Sequence, residues 1–455
     1  MKHILFNFIY IVLLIVFMPV LLYRSIRHGK YRGGFKQKYF GRIPRRSKVF
    51  AQSGKKDNAC MKVIWFHAVS VGEVNLLRPL LQLVKEKKPD WLPVVSTTSL
   101  TGMNLAEKLY GNELTVFYCP LDFSWAVNKA MQRLKPDMLV LVEQELWFNL
   151  IDAAKRSGAK IAVINGRFGE DGYRRYLWIR RFAAPMLRQI DLVAVQSETY
   201  AGWFRQLGAS AEAIHITGSI KFDGAITDRN NPDTLRLKRI AGITDDDAVF
   251  IAGSTQSPEE QYALECFEHL KSEFPQLRLV IVPRHSERFD EVAEMLDKAG
   301  VFWQRRSKIT EQTQGEETET LEGGSSSKKV QPRILLVDTI GELGAWWGSA
   351  SVAFVGGSMG SRGGQNMLEP AAYGAAVCFG PNTKHFADIT ELLLRNEAAF
   401  VVHDQYDLEK FIRLCLEDTG YAEELGRKAK EFVSAQKGTA QRTFELLENL
   451  TAGKG

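Results

Sequence analysis

The sequence predicts an α/β protein of two doubly wound domains with mostly parallel sheets facing a central cleft, behind an N-terminal membrane-anchor helix. Three observations carry this reading. Short apolar runs alternate with helical stretches along most of the chain. A polar stretch rich in Asp, Gly, Asn and Pro, Lys221–Pro232, divides the runs into two similar series. His3 to Tyr23 is a 21-residue segment without a formal charge beyond what His3 can carry.

The elements follow in order. A helix over His3–Tyr23 spans roughly 30 Å, about one bilayer core. The run is longer than a signal-peptide core and no A-x-A-like cleavage site follows, which favours an anchor over 1–23. Pro19 kinks such a helix without forbidding insertion. A basic juxtamembrane stem occupies 24–60. Thirteen of the 59 Lys and Arg residues lie in the first 56 positions, and no acidic residue precedes Asp57. The rest of the chain then holds 46 basic against 53 acidic residues, so the overall +6 is a +13 segment on a −7 body. This flank predicts contact with anionic lipids and, by the positive-inside rule, a body on the cytoplasmic side.

An N-terminal domain is expected over 61–222, with strands at Lys62–Ala68, Leu92–Thr97, Thr115–Tyr118, Met138–Glu143, Lys160–Ile164, Asp191–Gln196 and Ile214–Thr217. Each is a brief apolar, often β-branched run bounded by polar or turn residues. A linker is expected over 223–240. A second domain over 241–430 has strands at Ala248–Gly253, Leu277–Pro283, Ile334–Val337, Ser351–Val355, Ala376–Gly380 and Ala399–Val402. Residues 308–331 are polar and low in complexity, and read as a mobile loop without chemistry. A C-terminal helix and tail, 431–455, closes the body.

Several functions are excluded. The five cysteines form no C-x-x-C pair and the eight histidines no H-x-x-x-H pair, which argues against zinc knuckles, disulfide frameworks and redox dithiols. The acidic body carries no compact basic recognition module, so no nucleic-acid partner is expected. Neither a P-loop nor a G-x-G-x-x-G fingerprint occurs.

What remains is a set of polar strand-to-helix junctions, the places where open α/β sheets bind ligands. The first is His67-Ala-Val-Ser70-Val-Gly72-Glu73. Taken alone, Glu73 reads as a carboxylate favoured by a helix N-terminus and His67 as a structural histidine. The second, Glu143-Gln-Glu145-Leu-Trp147, sets two carboxylates at a strand end, where one can be a cap and the other solvated. The third is Gly218-Ser-Ile-Lys221-Phe-Asp223; a surface lysine is the default there. The second domain offers Gly253-Ser-Thr255, Pro283-Arg284-His285, Ile340-Gly341-Glu342, and a glycine-rich turn, Gly356 to Gly364, entering Asn366-Met367-Leu368-Glu369-Pro370. Such a turn offers free amides and a positive helix end to a phosphate. Finally, Gly172–Phe182 places Arg174, Arg175, Arg180 and Arg181 among aromatics on one expected helix. It reads equally as a packed amphipathic helix or as a seat for acceptor phosphates and acyl chains.

HAVSVGE, E-x-E-L-W, T-G-S-I-K-F-D, P-R-H-x-E-R and N-M-L-E-P-A-A, in this order and spacing, resemble the 3-deoxy-D-manno-octulosonic acid (Kdo) transferases of lipopolysaccharide biosynthesis. The resemblance runs from the anchor to at least Gly380-Pro381. It implies a GT-B fold of two Rossmann-like domains, with the acceptor on the N-terminal one and the CMP-Kdo donor on the C-terminal one. It implies inverting transfer of Kdo to a lipid A precursor (lipid IVA), with no cofactor and no bound metal. It makes Glu73 the general base and matches Glu143 and Lys221 to transition-state stabilisation. Pro283, Arg284, Ile340, Gly341, Glu342, Asn366, Met367, Leu368 and Glu369 match the CMP-binding segments. Ser70, Gly72, Arg174 and Arg175 are the acceptor-side candidates. The insertion at 308–331 departs from the expected pattern without breaking a motif. The rival readings are a GT-B enzyme using a UDP-sugar, which a donor panel distinguishes, and a non-catalytic membrane-anchored nucleotide sensor, in which Glu73, Glu143 and Lys221 are ornamental.

Overall fold

The computed structural model describes residues 2–28, 33–58, 60–309 and 332–452. The polar insertion expected at 308–331 lies, from residue 310 on, outside the described residues. The chain forms two compact units, Met1–Gly224 with Gln436–Gly455, and Ala225–Ala435.

The first unit holds a seven-stranded parallel sheet: β1 Lys62–His67, β2 Trp91–Thr97, β3 Thr115–Tyr118, β4 Met138–Val142, β5 Lys160–Gly166, β6 Leu192–Val195 and β7 Ile214–Ile216. Its order is β3-β2-β1-β4-β5-β6-β7. Helices cover both faces, which explains the unbroken apolar runs. Along β1, Val63 and Trp65 enter one core layer while Ile64 and Phe66 enter the other. Leu139 and Leu141 of β4 face one way, and Met138, Val140 and Val142 the other. This is the period-two alternation of a strand buried on both sides.

The second unit repeats the design with β8 Ala248–Thr255, β9 Leu277–Pro283, β10 Trp303–Arg305, β11 Ile334–Leu336, β12 Val352–Val355, β13 Ala376–Phe379 and β14 Phe400–Val401, in the order β10-β11-β9-β8-β12-β13-β14. The sequence predicts six strands here. The additional one, β10, is a three-residue Trp-Gln-Arg edge whose pairing with β11 supplies what its composition does not signal.

Each sheet has a switch point, where two adjacent strands lead off to opposite sides. In the first, β1 leads outward to β2 and β3, and β4 then returns to β1's other side. In the second, the same reversal falls between β8 and β12. Loops diverge at such points and leave room at the strands' carboxyl ends.

Three boundaries differ from expectation. From Phe35 the basic segment folds onto the first unit as helices Phe35–Phe40 and Arg46–Ser53, with Ile43, Val49 and Phe50 buried in its core. Arg46 is spent internally, on the carbonyls of Lys135 (2.8 Å) and Met61 (3.1 Å) and on the carboxylates of Asp57 and Asp137 (both 3.1 Å). The expected linker 223–240 contains a helix, Pro232–Ile240, capped by Asn231, and Arg229 donates to the carbonyls of Tyr373 and Ala350 in the second unit. The C-terminal helix, Thr439–Ala452, belongs to the first unit and buries Ala440, Phe444 and Leu447 beside Leu77 and Trp91.

The N-terminal segment forms a helix, Lys2–His28. Among the described residues, however, no helix is long and apolar enough to cross a membrane, so the expected spanning anchor is not seen as such. Polar groups near its start bond to the first unit: Asn7 exchanges hydrogen bonds with Ser124 (2.7 and 2.9 Å) and Tyr10 donates to Asp122 (2.9 Å).

Asp223 fastens the C-terminal helix by accepting from the amides of Gly438 (2.5 Å) and Ala440 (2.7 Å). Losing such a cap costs about 1–2 kcal/mol. Asp223→Ala is expected to speed amide hydrogen exchange across Thr439–Ala452 by about five- to thirtyfold, while exchange in the second unit stays unchanged.

Candidate functional site

Glu73 and Glu143 flank the reversal point of the first sheet, one following β1 and the other following β4. Ser70 caps the helix Val71–Lys87 and accepts from the Glu73 amide (3.3 Å). The Glu73 carboxylate in turn accepts from the Ser70 hydroxyl (2.8 Å) and the Val69 amide (2.8 Å). This closed loop resembles a capping box and fixes the side chain at the strand end. Glu73 is 9% exposed. Burial, the largest influence, raises its pKa; the Val69 and Ser70 hydrogen bonds act downward and the charge of Glu143 upward, and the net direction is up. Burial therefore outweighs the stabilisation that a helix N-terminus offers a carboxylate. Gly72 is exposed in the first turn, where a side chain would meet little but the Ser70 hydroxyl.

Glu143 follows β4 in the left-handed region, φ 57°, where a non-glycine residue is uncommon. The turn presents its carboxylate to two cations, Arg167 at 2.8 Å and Lys221 at 3.5 Å. Asn165, also left-handed (φ 53°) and fully buried, donates to Glu143 Oε1 (3.3 Å) and accepts from the Ile220 amide (3.0 Å). It thereby ties Glu143 to the short turn Ile220–Phe222 that carries Lys221. Glu145, two residues on, accepts from the Trp147 indole (2.8 Å). Burial first, then the charge of Glu73, push its carboxyl up to about 7. The junction thus gathers three carboxylates and two cations.

In the second unit, Pro283 ends β9 and the Arg284 amide donates to the Thr255 carbonyl at the end of β8 (3.0 Å), while the Arg284 residue is exposed. Glu369 accepts from the Asn366 side chain (3.0 Å); burial raises its pKa, against that hydrogen bond and the charge of Arg284. Ile340 is 84% exposed and Gly341 is left-handed (φ 94°), while Glu342 is held by Thr339 (2.7 Å) and Arg306 (2.9 Å). Met367 and Leu368 have buried side chains and belong to the core.

The expected phosphate seat at the glycine-rich turn is different. The helix it enters, Leu368–Tyr373, has only six residues, and its first amide already bonds to the Asn366 side chain (3.2 Å). The amides of Gly357, Ser358 and Met359 donate to the carboxylate of Glu259. The chain supplies its own anion there.

The expected single helix bearing Arg174 and Arg175 is two, Glu170–Trp178 and Arg180–Leu187, broken at Ile179. Tyr173 stacks on Trp203 (4.6 Å) and Tyr176 packs on Phe168, so these aromatics are structural. Leu177, Trp178, Ile179 and Phe182 face outward, Trp178 at 90% exposure. Among the described residues Arg174 pairs with Glu170, in an exposed contact of small energetic weight.

Residues 37–224 match the family model described as 3-deoxy-D-manno-octulosonic-acid transferase. The chain is 30% identical to a 3-deoxy-D-manno-octulosonic acid transferase of Chlamydia trachomatis over 95% of its own length and 93% of that protein's. It belongs to the Kdo transferase family. A Haemophilus influenzae relative of the same name is 29% identical over 97% of this chain and 98% of its own. The two Rossmann-like units also share their fold with a glycosyltransferase from Rickettsia africae (TM-score 0.55, 12% identity, 86% of this chain and 98% of that one) and with a UDP-N-acetylglucosamine 2-epimerase from Listeria monocytogenes (TM-score 0.57, 11% identity, 87% and 98%). Around the motifs of this Kdo transferase family member, the structure adds Asn165, Arg167 and Glu259, which no sequence motif singles out. Asn165-Gly-Arg167 stands at the end of an apolar strand and Glu259 shortly after β8, so the strand-end rule that singled out Glu143 applies to them as well.

Glu145 gives a pH signature. Its folded pKa of about 7 lies above the ordinary 4.5, so the stability it contributes is full below pH 4.5 and lost as pH rises through about 7. Glu145→Gln is therefore expected to narrow the difference in Tm between pH 5 and pH 8. An unchanged difference would mean that Glu145 does not titrate there.

Proposed function

We propose that this chain is an inverting Kdo transferase that moves Kdo from CMP-Kdo to the lipid A precursor lipid IVA in lipopolysaccharide biosynthesis. Within a Kdo transferase family member, the observation that carries the mechanism is the pair Glu73 and Glu143 on the two strands flanking the first sheet's reversal point, with Lys221 and Arg167 on the second carboxylate. Glu73 accepts the proton of the acceptor hydroxyl as its oxygen attacks the anomeric carbon of Kdo. The bond from that carbon to the phosphate oxygen breaks, and its electron pair leaves with CMP. The centre passes through an oxocarbenium-like state. Glu143 offers it negative charge, and Lys221 offers positive charge to the oxygen taking up electrons. A base works best with its pKa near the working pH, and the upward shift of Glu73 serves that role. Pro283, Arg284, Ile340 to Glu342, and Asn366 to Glu369 supply the CMP-binding segments, Met367 and Leu368 through backbone groups. Ser70 and Gly72 shape the acceptor side.

The test is incubation of the detergent-solubilised protein with CMP-Kdo and a tetraacyl lipid A precursor, counting product mass in Kdo increments; no increment overturns the reading. In the same assay Glu73→Gln is expected to lose about 10²–10⁴ of the rate while CMP binding stays near wild type. Because the base must be ionised, the acid limb of the wild-type profile should lie above the ordinary carboxylate range. Near-normal turnover by the variant removes Glu73 from the mechanism.

We further propose that the first unit works against anionic lipids on the cytoplasmic face of the cell inner membrane. The N-terminal helix exposes Phe8, Ile11, Val12, Ile15, Val16, Phe17 and Met18, and the patch around Trp178 joins exposed apolar groups to Arg174, Arg175, Arg180 and Arg181. This composition suits a surface embedded in an anionic interface. Charge reversal at Arg174 and Arg175 is expected to raise the acceptor KM several-fold with CMP-Kdo binding unchanged. An unchanged KM returns the patch to a structural role.

A further inference from the structure

Glu259 opens the helix Glu259–Leu270 and is 1% exposed. Its carboxylate accepts four backbone amides: Gln256 (2.9 Å) and Gly357 (2.7 Å) on Oε2, and Ser358 (2.9 Å) and Met359 (3.0 Å) on Oε1. Three come from consecutive residues after β12 and one from the loop after β8, the strands on either side of the reversal point. Successive amides converging on one point form a nest, an arrangement that binds phosphate in many proteins. Here the nest lies where a doubly wound sheet receives its ligand.

The nest does not depend on Glu259 alone. Ser358 donates its hydroxyl to the Val355 carbonyl (2.6 Å) and accepts from the Gly380 amide (2.8 Å), while its own carbonyl takes the Asn382 amide (2.9 Å). Gly357 holds φ 67°, and its carbonyl takes the Gly364 amide (2.8 Å). Gly356 lies so close to β8 that an added Cβ would fall 2.6 Å from Thr255 Cα. The same Thr255 accepts the Arg284 amide. The filled nest is therefore bound to the Arg284 turn on one side and, through Gly364, to the Asn366–Glu369 segment on the other.

We propose that Glu259 is a specificity-determining residue: by filling the amide nest with the chain's own carboxylate, it closes the nest to a donor phosphate, so that nucleoside monophosphate donors are accepted and nucleoside diphosphates rejected. The proposal rests on the donor reading given above. A second phosphate would meet occupied amides and a fixed negative charge. The single phosphate of a CMP-linked donor needs no place in the nest.

The test is calorimetric titration of the intact chain with CMP and CDP. Wild type is expected to prefer CMP by about tenfold or more, the worth of one charge-assisted hydrogen bond. Glu259→Ala leaves the nest empty and should cut or invert that preference by about tenfold, mainly by strengthening CDP, with inorganic phosphate competing for the gain. Glu259→Gln keeps the shape and removes the charge, so its narrower preference reads the repulsion alone and decides the matter should the alanine variant not fold. A CDP:CMP affinity ratio unchanged from wild type overturns the proposal. A wild type that binds neither nucleotide overturns the donor reading with it.

Discussion

In the first sheet the strands are laid down outward from β1 before β4 takes β1's other side; in the second, β9 lies beside β8, β10 forms the edge, β11 inserts between β9 and β10, and β12 then takes β8's other side. At the return, two adjacent parallel strands send their following loops over opposite faces of the sheet. The loops diverge from their carboxyl ends, and the backbone groups there can pair with side chains instead of with a neighbouring strand. Both sets of polar groups described above occupy such a place. Glu73 and Glu143 stand after β1 and β4, and Glu259 meets the Gly357–Met359 amides after β8 and β12. The apolar, two-sided burial of the strands is what makes these positions firm enough for side chains to be held to particular partners.

The two places solve opposite electrostatic problems. At the first, carboxylates crowd together; burial raises Glu73 and Glu145, while Arg167 and Lys221 neutralise Glu143. The groups become unequal because their partners are unequal. At the second, a nest of backbone donors receives a carboxylate from the next helix. Four amides offset much of the cost of burying that charge, and the glycine-rich turn gains a set shape before any ligand arrives.

The sequence reveals what is local. Thirteen of the fourteen described strands stand out as brief apolar runs, most of them because a parallel strand covered on both faces must be apolar; β10 does not, because an edge strand of Trp-Gln-Arg owes its pairing to β11. Glu73, Glu143 and Lys221 can be picked out because each follows a readable element. Asn165 and Arg167 become visible as partners only once β5 is known to lie beside β4. Glu259 meets amides 98 to 100 positions further along the chain, a distance over which no periodicity speaks. The basic segment misleads for a related reason: its charge density suggests a lipid-facing stem, whereas Ile43, Val49 and Phe50, scattered too thinly to form a pattern, place its second half in the core.

The return of the chain to its first unit has a consequence for biosynthesis. Residues 439–452 complete the hydrophobic layer beneath β1 and β2, and they are made after every residue of the second unit. On the ribosome the later unit can therefore reach its final packing while the earlier one still lacks Phe444 and Leu447. A nascent chain thus presents its N-terminal helix, and the basic residues after it, long before the carboxylate junction has its full support. The layer beneath β1 and β2, on which that junction rests, is therefore the last part of the described fold to be filled.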